Sequence, residues 1–150
     1  MRAVIQRVSE ASVTVNNKVI SSINNGLLVL LGIEDADTSE DIIWLIGKLS
    51  KMRIFSNSEG KMNLSLNDCN GSLLLVSQFT LHAMTAKGNR PSFIRSAKPE
   101  KAIPMYEEFI KIWQQQTNIP IQTGEFGADM KINLLNDGPV TIVIDSKAKE

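Results

Sequence analysis

Cysteine and histidine are almost missing from this chain: Cys69 and His82 are the only examples among 150 residues. A lone cysteine excludes an internal disulfide and a zinc site built on several thiolates, and it suits a reducing compartment. A single histidine means that any Ser-His-Asp or Cys-His arrangement would have to run through His82. The carboxylates are scattered without the spacing of a ligand set, so neither a metal nor another cofactor is expected. A surplus of charge is missing too, because 16 basic residues balance 16 acidic ones. No global field therefore draws the chain to nucleic acid or to a membrane, and such binding would need a local patch. No apolar run approaches the roughly 20 residues of a membrane span. The start Met1-Arg2-Ala3-Val4-Ile5 is broken by Gln6 and Arg7 and does not read as a signal peptide. A cytoplasmic protein without a membrane partner is expected. Gly124-Glu125-Phe126-Gly127 is not followed by Lys-Ser/Thr, so no phosphate loop is present and a nucleotide triphosphatase is disfavoured.

What remains is an ordinary globular composition, 43% apolar and 21% charged. The length fits one domain over residues 1–150 with a core of its own. Residues 2–8 and 12–16 alternate as strands, with Val13 and Val15 on one face. Asn16-Asn17 marks a turn. Gly26 to Ile33 is a continuous apolar run that reads as a strand buried on both faces. Thr38 and Asp41 stand in capping-box positions. Ile42, Leu45, Ile46 and Leu49 behind them form the stripe of an amphipathic helix. Arg53-Ile54-Phe55 reads as a short strand, and Ser72 to Leu81 as a long apolar one. Residues 83–98 lack periodicity, and a loop this long in a compact domain is usually functional. A second helix begins near Pro99 or Pro104, with Ala102, Tyr106, Phe109 and Trp113 on its buried stripe. The last third reads as β, with Met130, Ile132 and Leu134 on one face and Val140, Ile142 and Ile144 on another. These elements make a mixed α/β domain with helices covering one sheet face.

The candidate sites are few. Thr80 and His82 would share a face if both lay on a strand, but side chains at that spacing are far apart for a nucleophile–base bond. A solvated or partly packed histidine is the ordinary reading. Cys69, in the turn-like Asn67-Asp68-Cys69-Asn70-Gly71, reads as an unreactive thiol. Lys87, Arg90, Arg95 and Lys98 surround Phe93 in the aperiodic loop. That pattern suits phosphate contact with base stacking and equally a solvated surface loop. Ser77, Gln78, Phe79 and Thr80 are polar interruptions at the end of an apolar strand, where they either satisfy turn groups or line a pocket. Gly138-Pro139 is either an ordinary turn or, if cis, a sharp reversal that presents the Gly138 carbonyl to a ligand.

Read together, several segments resemble D-aminoacyl-tRNA deacylase. They are Ile5-Gln6-Arg7-Val8 with Ala11 to Val15, Gly26 to Gly32, Arg53-Ile54-Phe55 and Gly60-Lys61-Met62-Asn63. To these are added Ser77 to Leu81, Arg90-Pro91-Ser92-Phe93, Gly124 to Met130, and Asn136 to Thr141. They follow the family's order over nearly the whole chain. The resemblance implies barrel-like β-sheets with two main helices packed on one face. It implies a homodimer that hydrolyses the ester between a D-amino acid and the 3′-terminal adenosine of tRNA, and that also accepts glycyl-tRNA. It implies a catalytic segment of Ser77, Gln78, Phe79 and Thr80, whose main-chain N–H groups stabilise the oxyanion while the ribose 2′-hydroxyl assists water. A cis Gly138-Pro139 from the partner subunit would exclude L side chains, braced by Arg7. Phe126 and Met130 would pack on the terminal adenosine. Lys87, Arg90 and Arg95 would meet the acceptor stem. The rivals are a nucleic-acid-binding module of the same fold and a Thr80-dependent small-molecule esterase.

Overall fold

The computed structural model describes all residues from Met1 to Glu150. Its frame is one long strand. Residues 2–8 and 12–16, expected as two strands, form the continuous β1 (Arg2–Val15). The strand bends at register shifts between Gln6 and Val8 and between Val8 and Glu10, where bulges sharpen the twist. One edge of β1 pairs first with β3 (Gly26–Gly32) and then with β2 (Lys18–Ile23). The other edge pairs along most of its length with β8 (Lys131–Asp145). β6 (Ser72–Ser77) lies parallel to β3, and β7 (Ile121–Thr123) lies parallel to β6. A small hairpin of β4 (Phe55–Ser56) and β5 (Met62–Leu64) stands apart, so the strand expected at Arg53-Ile54-Phe55 is shorter and starts only at Phe55. The turn at Asn16-Asn17 is present, with both asparagines at positive φ.

The curved sheet separates two cores, and the strand alternation dictates which side chain enters which. Ala3, Ile5, Leu27, Val29, Leu31, Leu73 and Leu75 face the two helices, α1 (Ser39–Lys51) and α2 (Pro99–Gln116). Val8, Val13, Leu28, Leu74 and Val76 face the inside of the barrel-like sheet. β3 is therefore buried on both faces, as its unbroken apolar run requires. The helices contribute Ile42, Leu45, Ile46 and Leu49 from α1 and Ala102, Tyr106, Phe109 and Trp113 from α2. Fully burying a side chain of this size contributes about 1.5–3 kcal/mol. The capping box is formed, with the Thr38 N–H donating to Asp41 Oδ2 at 2.9 Å. α2 starts at Pro99, leaving Pro104 one turn inside.

The expected strand from Ser72 to Leu81 stops at Ser77. Phe79–His82 is instead a 3₁₀ turn, α-like but tighter. The cause lies in hydrogen bonding: after the Gln78 N–H reaches the Leu31 carbonyl at 2.8 Å, β3 ends and offers no further ladder. The two halves of β8 serve different cores, Ile132 the barrel interior and Val140, Ile142 and Ile144 the helix side. Met130 precedes the strand and packs on the interior cluster. No helix is long and apolar enough to cross a membrane.

Candidate functional site

The 3₁₀ turn ends the parallel pair β3–β6, and a cavity of about 540 Å³ opens beside it. Ser77, Gln78 and Phe79 line the cavity together with Phe126 and Met130. Ala102 of α2 and Phe93 of the long loop line it as well. The structure thus brings together five of the expected site residues that are separated by about fifty positions in sequence. Thr80 is not among the lining residues.

Each of these side chains is placed by an identifiable contact. The Gln78 Nε2 donates to Thr80 Oγ1 at 2.6 Å, spanning the turn. The Ser96 hydroxyl donates to the Phe79 carbonyl at 2.8 Å. In a 3₁₀ segment the first N–H groups point back past its N-terminus and have no partner within it. The N–H groups of Phe79 and Thr80 find no acceptor elsewhere in the chain either. Both belong to the N-terminal end of the turn, next to Ser77 and Gln78, which line the cavity. Phe126 packs edge-on against Tyr106, centroids 5.8 Å apart. Tyr106 is locked by its own bond to the Leu75 carbonyl at 2.8 Å, and burial pushes its phenol pKa up. Gly124 lets Met130 reach the wall: a Cβ there would lie 2.6 Å from the Met130 sulfur.

Arg7 and Gly138-Pro139 form a second cluster, outside the cavity wall. Arg7 is buried at 7% exposure. Its Nε donates to the Asp137 carbonyl at 3.0 Å and its Nη1 to the Ile54 carbonyl at 2.6 Å. The Gly138–Pro139 peptide bond is cis, and Gly138 has φ of 130°. A Cβ on Gly138 would meet Arg7 Nη2 at 2.9 Å, so glycine is required on steric grounds as well. Asn136 closes the loop with two bonds to Val140, each 3.1 Å. Gly138 and Pro139 themselves are exposed.

The basic residues occupy a tied loop. Met84 and Ser92 exchange backbone bonds of 2.8 and 3.0 Å, and the Ala97 N–H reaches the Ile33 carbonyl at 2.9 Å. Lys87 and Arg90 are exposed near the tip. Arg95 lies 3.4 Å from Glu34 and is partly committed to that carboxylate. Sequence reading missed Ser96, Ala97 and Asp129 among the lining residues. Nothing in their local pattern marks them; only the return of the loop to Ile33 brings the first two into place.

The other candidates fall away. His82 is 1% exposed, and neither ring nitrogen has a hydrogen-bond partner. It is packed rather than solvated, and it lies on the 3₁₀ turn, so the strand geometry that would have aligned it with Thr80 is absent. Cys69 is half-buried, and burial pushes its thiol pKa up, away from thiolate reactivity. No three His, Cys, Asp or Glu side chains cluster in a way that would hold a metal ion.

Comparison with known proteins extends this picture. Residues 4–145 match the family model described as D-Tyr-tRNA(Tyr) deacylase. A relative from Flavobacterium johnsoniae named D-aminoacyl-tRNA deacylase is 63% identical over 150 residues, the whole of both chains. One from Parabacteroides distasonis with the same name is 57% identical, again over the full length of both. Among solved structures, a c-Myc DNA unwinding element binding protein superposes with a TM-score of 0.94 at 40% identity, covering 99% of this chain and 100% of that one. A probable eukaryotic D-amino acid tRNA deacylase superposes with a TM-score of 0.78 at 20% identity, covering 95% and 97%, and speaks for the fold alone.

Proposed function

The chain belongs to the D-Tyr-tRNA(Tyr) deacylase family and is a hydrolase, and from that premise we propose that it cleaves the ester joining a D-amino acid to the 3′-terminal adenosine of tRNA. The observation that carries the reading is the pair of unpartnered N–H groups, Phe79 and Thr80, at the edge of an apolar cavity. Water attacks the ester carbon, and its carbonyl oxygen becomes an oxyanion facing those two donors. Collapse breaks the bond to the ribose oxygen, which leaves with a proton, freeing tRNA and the amino acid. Losing one such donor typically costs 10²- to 10³-fold in rate. An activated ester needs no stronger machinery, and the ribose 2′-hydroxyl is well placed by its own covalent geometry to assist the water. The Thr80 hydroxyl is engaged by Gln78, and no base lies in hydrogen-bond contact with it. A positioning role for Thr80 follows.

In this reading the adenosine packs between Phe126 and Met130, and Lys87, Arg90 and Arg95 meet the phosphates of the acceptor stem. The chiral filter is Gly138-Pro139, supplied to the cavity by the second subunit of a homodimer. The Gly138 carbonyl accepts the substrate's α-amino group, an L side chain collides with the loop, and a D side chain points away. Glycine has no side chain to reject, so glycyl-tRNA is a substrate as well. The exposure of Gly138 and Pro139 and the buried grip of Arg7 behind them support this assignment. The protein acts in the cytoplasm, where aminoacyl-tRNA is found.

The name of the 40%-identical structure favours a second reading, a nucleic-acid-binding module without hydrolysis. One assay separates the two: purified protein in EDTA with matched D-tyrosyl- and L-tyrosyl-tRNA. Release from the D ester alone is the expected result. Release from neither would reject the deacylase reading and leave the binding module, whereas equal release from both would reject the chiral filter.

A further inference from the structure

The cavity accounts for one nucleoside, but its rim continues into an apolar patch that the reaction does not use. Phe79 is 56% exposed and Phe93 is 37% exposed, and their rings meet edge to face with centroids 5.1 Å apart. Met84 and Ile94 beside them in the loop are exposed as well. Large apolar side chains gathered on a surface mark a site of contact. The platform is anchored on both sides. Ser96 bonds to the Phe79 carbonyl at 2.8 Å, and Ala97 is fixed to Ile33. The loop that carries Phe93 also carries Lys87, Arg90 and Arg95, and no carboxylate lies between residues 83 and 98. Exposed aromatic rings interleaved with cations are the combination that binds unpaired nucleotides, since every base has a stacking face and every linkage a negative charge.

Resting on the deacylase reading, we propose that Phe79 and Phe93 form a stacking subsite for the unpaired nucleobase that precedes the terminal adenosine of the substrate. Two arguments select this occupant. The first is continuity: Phe79 and Phe93 belong both to the patch and to the cavity wall, so they offer a chain whose last nucleoside enters the cavity an unbroken surface to leave across. The second is charge: the loop is positive where the next phosphates would lie. The subsite is sequence-tolerant, because stacking reads no base edge. It makes the enzyme distinguish an ester at the end of an RNA strand from the same ester on a single nucleoside.

The test compares 3′-O-D-tyrosyl-adenosine with D-tyrosyl-tRNA as substrates for the wild type, Phe93→Leu and Phe93→Tyr. Phe93→Leu is expected to raise KM for the tRNA ester roughly five- to hundredfold. The nucleoside ester, which also meets Phe93 at the cavity wall, should lose less, so that the ratio of kcat/KM for the tRNA ester to that for the nucleoside ester falls at least about fivefold, and Phe93→Tyr should restore it. Equal loss on both substrates would reduce Phe93 to a prop for the catalytic turn, and no loss on either would remove the subsite. Binding of an uncharged fluorescent ACCA tetranucleotide gives an answer that does not depend on catalysis. Weaker binding by Phe93→Leu than by Phe93→Tyr supports the subsite even if the wild type hydrolyses nothing, an outcome that would reject the deacylase reading alone. If Phe93→Leu instead changes the sedimentation coefficient and leaves tetranucleotide binding intact, the patch is a contact between copies of this chain and the proposal is wrong.

Discussion

Thr80 and Arg7 show how single residues divide the work of this site. The Thr80 hydroxyl accepts the Gln78 amide at 2.6 Å and has no base beside it, and an unassisted hydroxyl is a weak nucleophile. Thr80→Ala should therefore keep kcat on D-tyrosyl-tRNA within about tenfold of wild type. A single-turnover loss of about 10⁴-fold would instead make Thr80 the nucleophile. Arg7 acts on structure. It is buried, and its two bonds satisfy the carbonyls of Asp137 and Ile54. Arg7→Met keeps the stem and deletes both bonds, leaving the buried Ile54 carbonyl unpaired at a cost of about 1–3 kcal/mol. Urea unfolding should register that loss, and unchanged stability would mean that the Gly138 loop stands without its brace. His82 illustrates what residue-by-residue reading misses: sequence alone gave no reason to bury a lone polar ring so completely, because the burying partners come from β1, β3 and the turn itself.

At the scale of elements, the junction of α1 with the C-terminal residues carries the clearest electrostatic dependence. Asp41 caps α1 and accepts from Ser146 Oγ at 2.6 Å and Lys147 Nζ at 2.7 Å. Burial alone would raise its pKa, but the bonds from Lys147, Ser146 and Thr38 outweigh that and hold the carboxyl well below the usual range. A depressed carboxyl pKa contributes stability above the unfolded value near 3.8 and loses it as pH falls toward the folded value. Lys147→Met should thus be less stable than wild type at about pH 6, with the gap closing below about pH 4. Urea titrations at the two pH values read this directly, and a gap that widened in acid would contradict the assignment. The cap itself was legible, because Thr38 and Asp41 stand at the fixed spacing of a local motif. The stripes of both helices and the doubly buried β3 were legible for the same reason: periodicity is a local property. The end of β6 was not. Ser72 to Leu81 stays compatible with a strand throughout, and it turns at Gln78 only because β3 stops supplying partners. The two N–H groups proposed as oxyanion donors owe their position to that non-local event, so sequence pattern placed the segment while the fold decided its geometry.

For the molecule as a whole, zero net charge has a specific consequence. A uniformly basic protein would bind RNA through many weak contacts, and no single substitution would change its salt dependence much. In the proposed reading the attraction comes from the loop of residues 83–98, where Arg95 is partly paired with Glu34, Lys98 lies at the α2 end, and Lys87 and Arg90 are the exposed cations near the tip. Each phosphate neutralised contributes about 0.7–0.9 to the slope of log affinity against log salt. If both residues touch phosphate, replacing them together with glutamine should flatten the slope of log(1/KM) for D-tyrosyl-tRNA by about 1.4–1.8. KM at low salt should rise, kcat should not change, and the nucleoside ester should show no salt effect in either protein. Arg95→Gln should flatten the slope by less, since its loss also releases the Glu34 carboxylate beside the RNA. An unchanged slope in the double variant would move the phosphate contacts off this loop, and the tRNA would then have to approach the cavity from another side of the domain.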